Sequence, residues 1–278
     1  MRNTPWVMTW KRFIRKPSGV IGGAICLFLL TLALLAPALA THDPFEQKLE
    51  NRKQPPSTEH YFGTDDFGRD IYSRILYGAR ITLRVGVTAV GIALLLGIPL
   101  ALLAVSGGRL MDLTVTGIID VFLALPSLVL AMAIVAIFGP NLTNAMIAIG
   151  IVYMPRMARV VRSAALTESQ QEYIMAARAL SCSLPRVLFR HLFPNCIPPL
   201  MVAATLHLAS AILEAAALSF LGLGAKVPTP EWGAMLKQGR ELFLEAPYMI
   251  YFPGLAIFLA VLGINLLGDA LNDTLGGR

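Results

Sequence analysis

Six long apolar runs, separated by polar segments, constrain this chain more than any other feature. Residues 20–40, 85–105 and 247–267 carry no charged side chain. Run 113–138 carries only Asp120, and run 197–218 carries only His207 and Glu214. A fourth run, 142–154, is shorter and stops before Arg156 and Arg159, which would have to snorkel. A helix needs about 20 apolar residues to cross the hydrocarbon of a bilayer. Charged residues make up 14% of the chain, against about 25% in soluble domains. The expected fold is all-α, a polytopic membrane protein with six transmembrane helices.

Lysine and arginine near the span ends set orientation. An even number of spans puts both termini on one side. With the termini inside, thirteen basic residues fall on inner segments and ten on outer ones. The first run also has Arg2, Lys11, Arg12, Arg15 and Lys16 before it and His42-Asp43 after it. Both termini are therefore expected in the cytoplasm. Trp6, Val7, Trp10, Phe13 and Ile14 interleave with those basic residues at helical spacing, which fits an amphipathic helix on an anionic leaflet. The small residues around Ala38 and Ala40 could suggest a cleaved signal peptide. The apolar run is too long for that, so an uncleaved anchor is expected.

Residues 171–200 do not read as a span. Arg178, Arg186 and Arg190 are costly in lipid. Tyr173, Ala176, Ala177 and Leu180 recur at helical spacing, with Glu172 in the first turn. Pro185 interrupts the run. A second amphipathic stretch with Leu188, Leu192 and Phe193 is expected to end at Pro194. A short helix, a turn and a second short helix would make a compact docking knob.

This stretch resembles the EAA loop of ABC-importer permeases, in particular the dipeptide, oligopeptide and nickel subfamily. The matching residues are Glu172, Tyr173, Ala176, Ala177, Arg178, Ala179, Leu180, Arg186, Arg190, His191, Pro194 and Asn195. Two positions depart: Met175 stands where the general glutamate falls, and Ser181 replaces the usual glycine. Serine suits a turn with positive φ poorly. Three further segments resemble the same subfamily in the same order. They are YFGTDDFGRDIYSRILYGAR before the second run, SFLGLGAKVPTPEWGAML at 219–236, and 253–275 at the end.

The resemblance implies a type I ABC importer permease fold without a nucleotide site of its own. ATP and Mg would sit in two partner ATP-binding subunits. A second homologous permease and an extracytoplasmic solute-binding protein would complete the complex in a bacterial inner membrane. Segment 165–196, including Ser181, would be the ATPase contact. The implied divisions are a cytoplasmic N-terminus at 1–19, a first span at 20–40 and an extracytoplasmic segment at 41–80. A five-helix permease domain at 81–271 and a cytoplasmic tail at 272–278 follow. The solute implied is a di- or oligopeptide, with nickel or another small solute as the alternative.

Physical reading of the other segments is plainer. Gly63 and Gly68 permit tight turns, and Asp70 can cap a short helix at 71–77. Gly63 and Gly68 have P-loop spacing, but Arg69-Asp70 replaces the Lys-Ser/Thr pair that phosphates and magnesium need. Asp65, Asp66 and Asp70 lack EF-hand spacing. Trp232 is expected to anchor at the lipid interface. Cys26, Cys182 and Cys196 form no disulfide framework or zinc spacing and read as apolar fillers. No metal site is expected, and the dispersed positive charge does not suggest nucleic acid.

Asp120, His207 and Glu214 lie in spans, where an ionisable side chain either lines a pathway or fixes packing. A proton-coupled secondary transporter using them is the alternative from another class. It would call for an inverted repeat, which the hydropathy lacks. His42, His60, His191 and His207 are scattered and pair with no evident nucleophile, so an intramembrane protease is not expected.

Overall fold

The computed structural model describes residues 13–275, apart from the side chain of Arg178. The proposed amphipathic helix therefore lies mostly outside the described residues, as do 276–278. The described residues form helices α1 (Pro17–Leu39), α2 (Ile71–Ser106), α3 (Gly108–Ala124), α4 (Ser127–Phe138), α5 (Leu142–Ser169) and α6 (Glu172–Ala179). Helices α7 (Leu184–Phe220), α8 (Trp232–Glu241) and α9 (Tyr248–Leu275) complete the order.

Four of these, α1, α2, α7 and α9, are long and apolar enough to cross a membrane by themselves. Helices α3 and α4 qualify only together, as a pair bent by 93°. The third run is thus not one straight span. Leu125 and Pro126 take extended backbone, because proline disfavours helical geometry in the residue before it. Helix α5 runs 28 residues and carries the fourth run on through Arg156, Arg159 and Arg162. Length and apolarity alone therefore give up to five spans among the described residues.

The bundle core is built from small residues. Ala89, Ala93, Ala145, Ala148, Ala158 and Ala211 are fully buried beside Ile149, Met157 and Val161. In lipid the gain comes from close helix approach rather than from hydrophobic expulsion. A Cβ added at Gly22 would stand 2.6 Å from the Leu267 nitrogen, so α1 crosses α9 backbone to backbone. Lys16 forms an ion pair with Asp273, closing the same two helices at one end.

On the opposite side the two polar segments pack on each other. Asp65 Oδ1 accepts from the Phe67 and Arg69 amides at 2.8 and 3.0 Å, and its Oδ2 accepts from Arg69 Nε at 2.7 Å. Arg69 and Arg74 are fully buried. Arg74 donates to the carbonyls of Pro44 and Pro228 at 3.0 and 3.2 Å, stitching 41–74 to 219–241. Asp70 caps as expected, accepting from the Ser73 amide at 2.7 Å. The helix it opens is not short, however; it is the start of the 36-residue α2.

Trp232 does not sit at a lipid interface. It is wholly buried and donates from Nε1 to the Ile75 carbonyl at 3.1 Å. Gly78 makes that possible, since a Cβ there would meet the indole at 2.6 Å. The burial of a large amphipathic ring is offset by giving its N–H a backbone acceptor.

Candidate functional site

Helix α6 is eight residues long and has little stability alone. Its position comes from one buried side chain. Ile174 is fully buried and packs with Leu102 of α2, Ala165 of α5, and Val187, Leu192 and Cys196 of α7. Three long helices thus grip the knob through one apolar cluster. Tyr173 adds a polar latch: its hydroxyl donates to Glu168 Oε2 at 2.6 Å and accepts from Asn195 Nδ2 at 2.9 Å. Burial first, then the neighbouring Glu168 carboxylate, pushes its pKa up to about 12, so the hydroxyl keeps its proton.

The turn after α6 uses Ser181 in the left-handed region, with φ 55°. The Cys182 amide donates back to the Ala177 carbonyl at 3.1 Å. That is the long bond of a Schellman ending, with Ser181 where glycine is preferred. The turn geometry survives the substitution of the usual glycine and carries a local strain.

The second stretch does not end at Pro194. Residues 187–192 form a π-type turn inside α7, which runs on to Phe220. A proline removes an amide donor and crowds the carbonyl four residues back. The wider π turn ahead of Pro194 absorbs that mismatch within a continuous helix.

The knob presents a face different from the one its sequence suggests. Ala177 is 8% exposed and points into its own chain. Glu172, Ala176, Ala179, Ser181, Arg186, Arg190 and Pro194 are exposed, and His191 is half-buried. Among them stand exposed apolar side chains: Leu180 at 80%, Phe189 at 64% and Met175 at 54%. Helical spacing could not have found Phe189, because the π turn changes which residues share a face.

The ionisable residues of the spans fall into separate groups. Glu214 Oε1 accepts from Ser127 Oγ at 2.6 Å and from the Tyr153 hydroxyl at 3.0 Å. This joins α4, α5 and α7. His207 meets the Tyr153 ring edge-on at 5.2 Å, and Arg156 lies 4.7 Å over the same ring. Asp120 instead pairs with Arg159, and Asp112 holds Arg162 with two bonds of 2.5 and 2.6 Å. Those two pairs tie α3 to α5. Asp120 is thus not joined to Glu214 by any hydrogen bond or ion pair among the described residues.

Glu231 is a structural residue that the sequence reading missed. It is 1% exposed, and its two oxygens accept from the Gly233 and Ala234 amides at 3.0 and 2.9 Å. Burial raises its pKa, and those bonds partly oppose the rise. Its position just before the Trp-Gly start of α8 was the available signal.

Residues 93–278 match the family model described as binding-protein-dependent transport system inner membrane component. The chain belongs to this family. Residues 4–56 match the N-terminal TM domain of oligopeptide transport permease C. A dipeptide transport system permease protein of Alkalihalophilus pseudofirmus is 47% identical, over 98% of this chain and 90% of that protein. A di/tripeptide transport system permease protein of Pseudomonas aeruginosa is 44% identical, over 96% and 90%. A glutathione transport system permease protein of Pectobacterium atrosepticum is 41% identical, over 98% and 91%. A chain of the inward-facing MetNI methionine ABC transporter shares the fold, with TM-score 0.60 at 21% identity. It covers 72% of this chain and 96% of that one. The protein is an inner-membrane permease subunit of an ABC importer, and not an enzyme by family. This membership decides against the secondary-transporter alternative.

Proposed function

We propose that this chain forms, with a second homologous permease, the translocation pathway of an ATP-driven importer for di- or oligopeptides. The observation that carries the reading is the knob at 172–192, gripped by three long helices and exposing Leu180, Phe189 and Met175. A rigid apolar knob of that kind passes a partner's movement to α2, α5 and α7 together. The partners are two ATP-binding subunits, which carry ATP and Mg, and an extracytoplasmic solute-binding protein. Segment 165–196 is the ATPase contact, and both termini are cytoplasmic. Peptide is favoured as solute because the relatives at 47% and 44% identity are named for dipeptides and di/tripeptides.

The test is uptake by the whole complex in vesicles. Wild type takes up labelled dipeptide with ATP present and the proton gradient collapsed. Leu180→Asp, on an exposed side chain, leaves insertion intact and cuts both ATPase co-purification and uptake at least about tenfold. Full uptake by Leu180→Asp with a normally assembled complex overturns the coupling assignment. Uptake that needs the gradient and ignores ATP overturns the importer reading.

A further inference from the structure

Two histidines that stand eighteen residues apart in the chain meet at the outer ends of α1 and α2. His42 follows the end of α1, and Asp70 caps the start of α2. His60 comes from the loop between them. The His42 and His60 rings lie 4.5 Å apart between centroids. His60 Nδ1 is 2.9 Å from Asp70 Oδ1, and His42 Nδ1 is 3.9 Å from the same oxygen. One ligand atom from each of the three residues lies within 4.8 Å of the others.

We propose that His42, His60 and Asp70 hold one divalent transition-metal ion of the Zn²⁺ type, which pins the end of α1 to the start of α2. Two imidazoles and a carboxylate are a donor set that suits such an ion. Ligands about 2.0–2.2 Å from one ion stand about 3.0–3.5 Å from each other. The observed separations of 2.9 and 3.9 Å bracket that spacing, so small side-chain rotations complete the site.

The surroundings fit an ion as well. Asp70 keeps its cap, because Oδ2 serves the Ser73 amide while Oδ1 faces the imidazoles. The His42 amide donates to Ser73 Oγ at 3.1 Å, which fixes that backbone against α2. Thr41 Oγ1, 3.0 Å from His42 Nδ1, has to turn away when the ion binds. His60 is 3% exposed and its Nε2 is buried without a partner. A cavity of about 490 Å³, lined by Pro37, Thr41, His42, Asp43 and Tyr77 among others, opens beside His42 and gives an ion a route in.

The test uses the full chain in lipid nanodiscs, stripped with chelator and freed of any affinity tag. Zn²⁺ is titrated against a competing chromophoric chelator, and thermal unfolding is followed with and without Zn²⁺. Wild type binds one Zn²⁺ per chain and unfolds at a higher temperature when loaded. His42→Gln and His60→Gln each weaken binding at least about tenfold. His42→Gln keeps the His60–Asp70 bond, so its fold holds even where His60→Gln does not fold. His191→Gln and His207→Gln bind as wild type does. Absence of saturable Zn²⁺ binding overturns the proposal, as does affinity retained in His42→Gln or lost in the His191 or His207 variants.

Discussion

The Tyr153 hydroxyl donates to Glu214 Oε1 at 3.0 Å, which fastens α5 to α7 within the bundle. Ser127 reaches the same oxygen from α4. Tyr153→Phe removes one of the two donors on that oxygen while Ser127 remains, a loss of about 0.5–1.5 kcal/mol. Glu214→Gln keeps an acceptor for both hydroxyls and costs less. A double-mutant cycle of Tyr153→Phe with Glu214→Ala, which removes the acceptor, should show a coupling of about 0.5–3 kcal/mol in unfolding experiments. Additive losses would mean that the bond contributes nothing.

The same network separates packing from proton transfer. Asp120→Asn and Glu214→Gln should change assembly or rate without altering the energy source. Dipeptide uptake in vesicles should still follow ATP after the gradient is collapsed. A switch in the gradient dependence of either variant would assign it a relay role.

Topology can be read with single cysteines after Cys26, Cys182 and Cys196 are replaced. Thr58 and Gln170 are both exposed. A cysteine at Thr58 should react with an impermeant thiol reagent in intact cells, and one at Gln170 only after lysis. The reverse pattern would place both termini outside and remove the coupling role from 165–196.

Ser181 sits at φ 55° in the turn that ends α6. Ser181→Gly relieves that strain but frees the unfolded chain, for a net gain of about 0.5–1 kcal/mol. Denaturant unfolding of the purified chain should show it, with uptake unchanged. A loss of stability would mean the serine side chain holds the turn.

Glu231 gives a pH signature. Burial raises its folded-state pKa above the unfolded value of 4.5. An acid with a raised pKa is best tolerated when protonated, so its contribution falls as pH rises through the unfolded value and levels off above the folded one. Glu231→Gln removes this dependence but weakens a two-oxygen cap, at a cost of about 1 kcal/mol. The stability gap between wild type and Glu231→Gln should therefore narrow from pH 4 toward neutrality. A gap that widens over that range would contradict the burial argument.

Apolar run length announced the membrane, because a bilayer filters on about 20 residues of low polarity whatever their packing. The Asp70 cap and the turns at Gly63 and Gly68 were legible for a similar reason: each rests on local backbone geometry, and both glycines take positive φ. The knob was legible as a place, since Arg186 and Arg190 could not enter lipid. Its working face was not. Ala177 turned inward because Ile174 is the side chain that fills the cluster under α2, α5 and α7. The burial of Trp232 against Ile75, the bend between α3 and α4, and the meeting of His42 with His60 followed the same rule. Periodicity and motif spacing are short-range properties of the chain. Which side chains share a volume depends on helices from distant parts of it, and only their packing decided that.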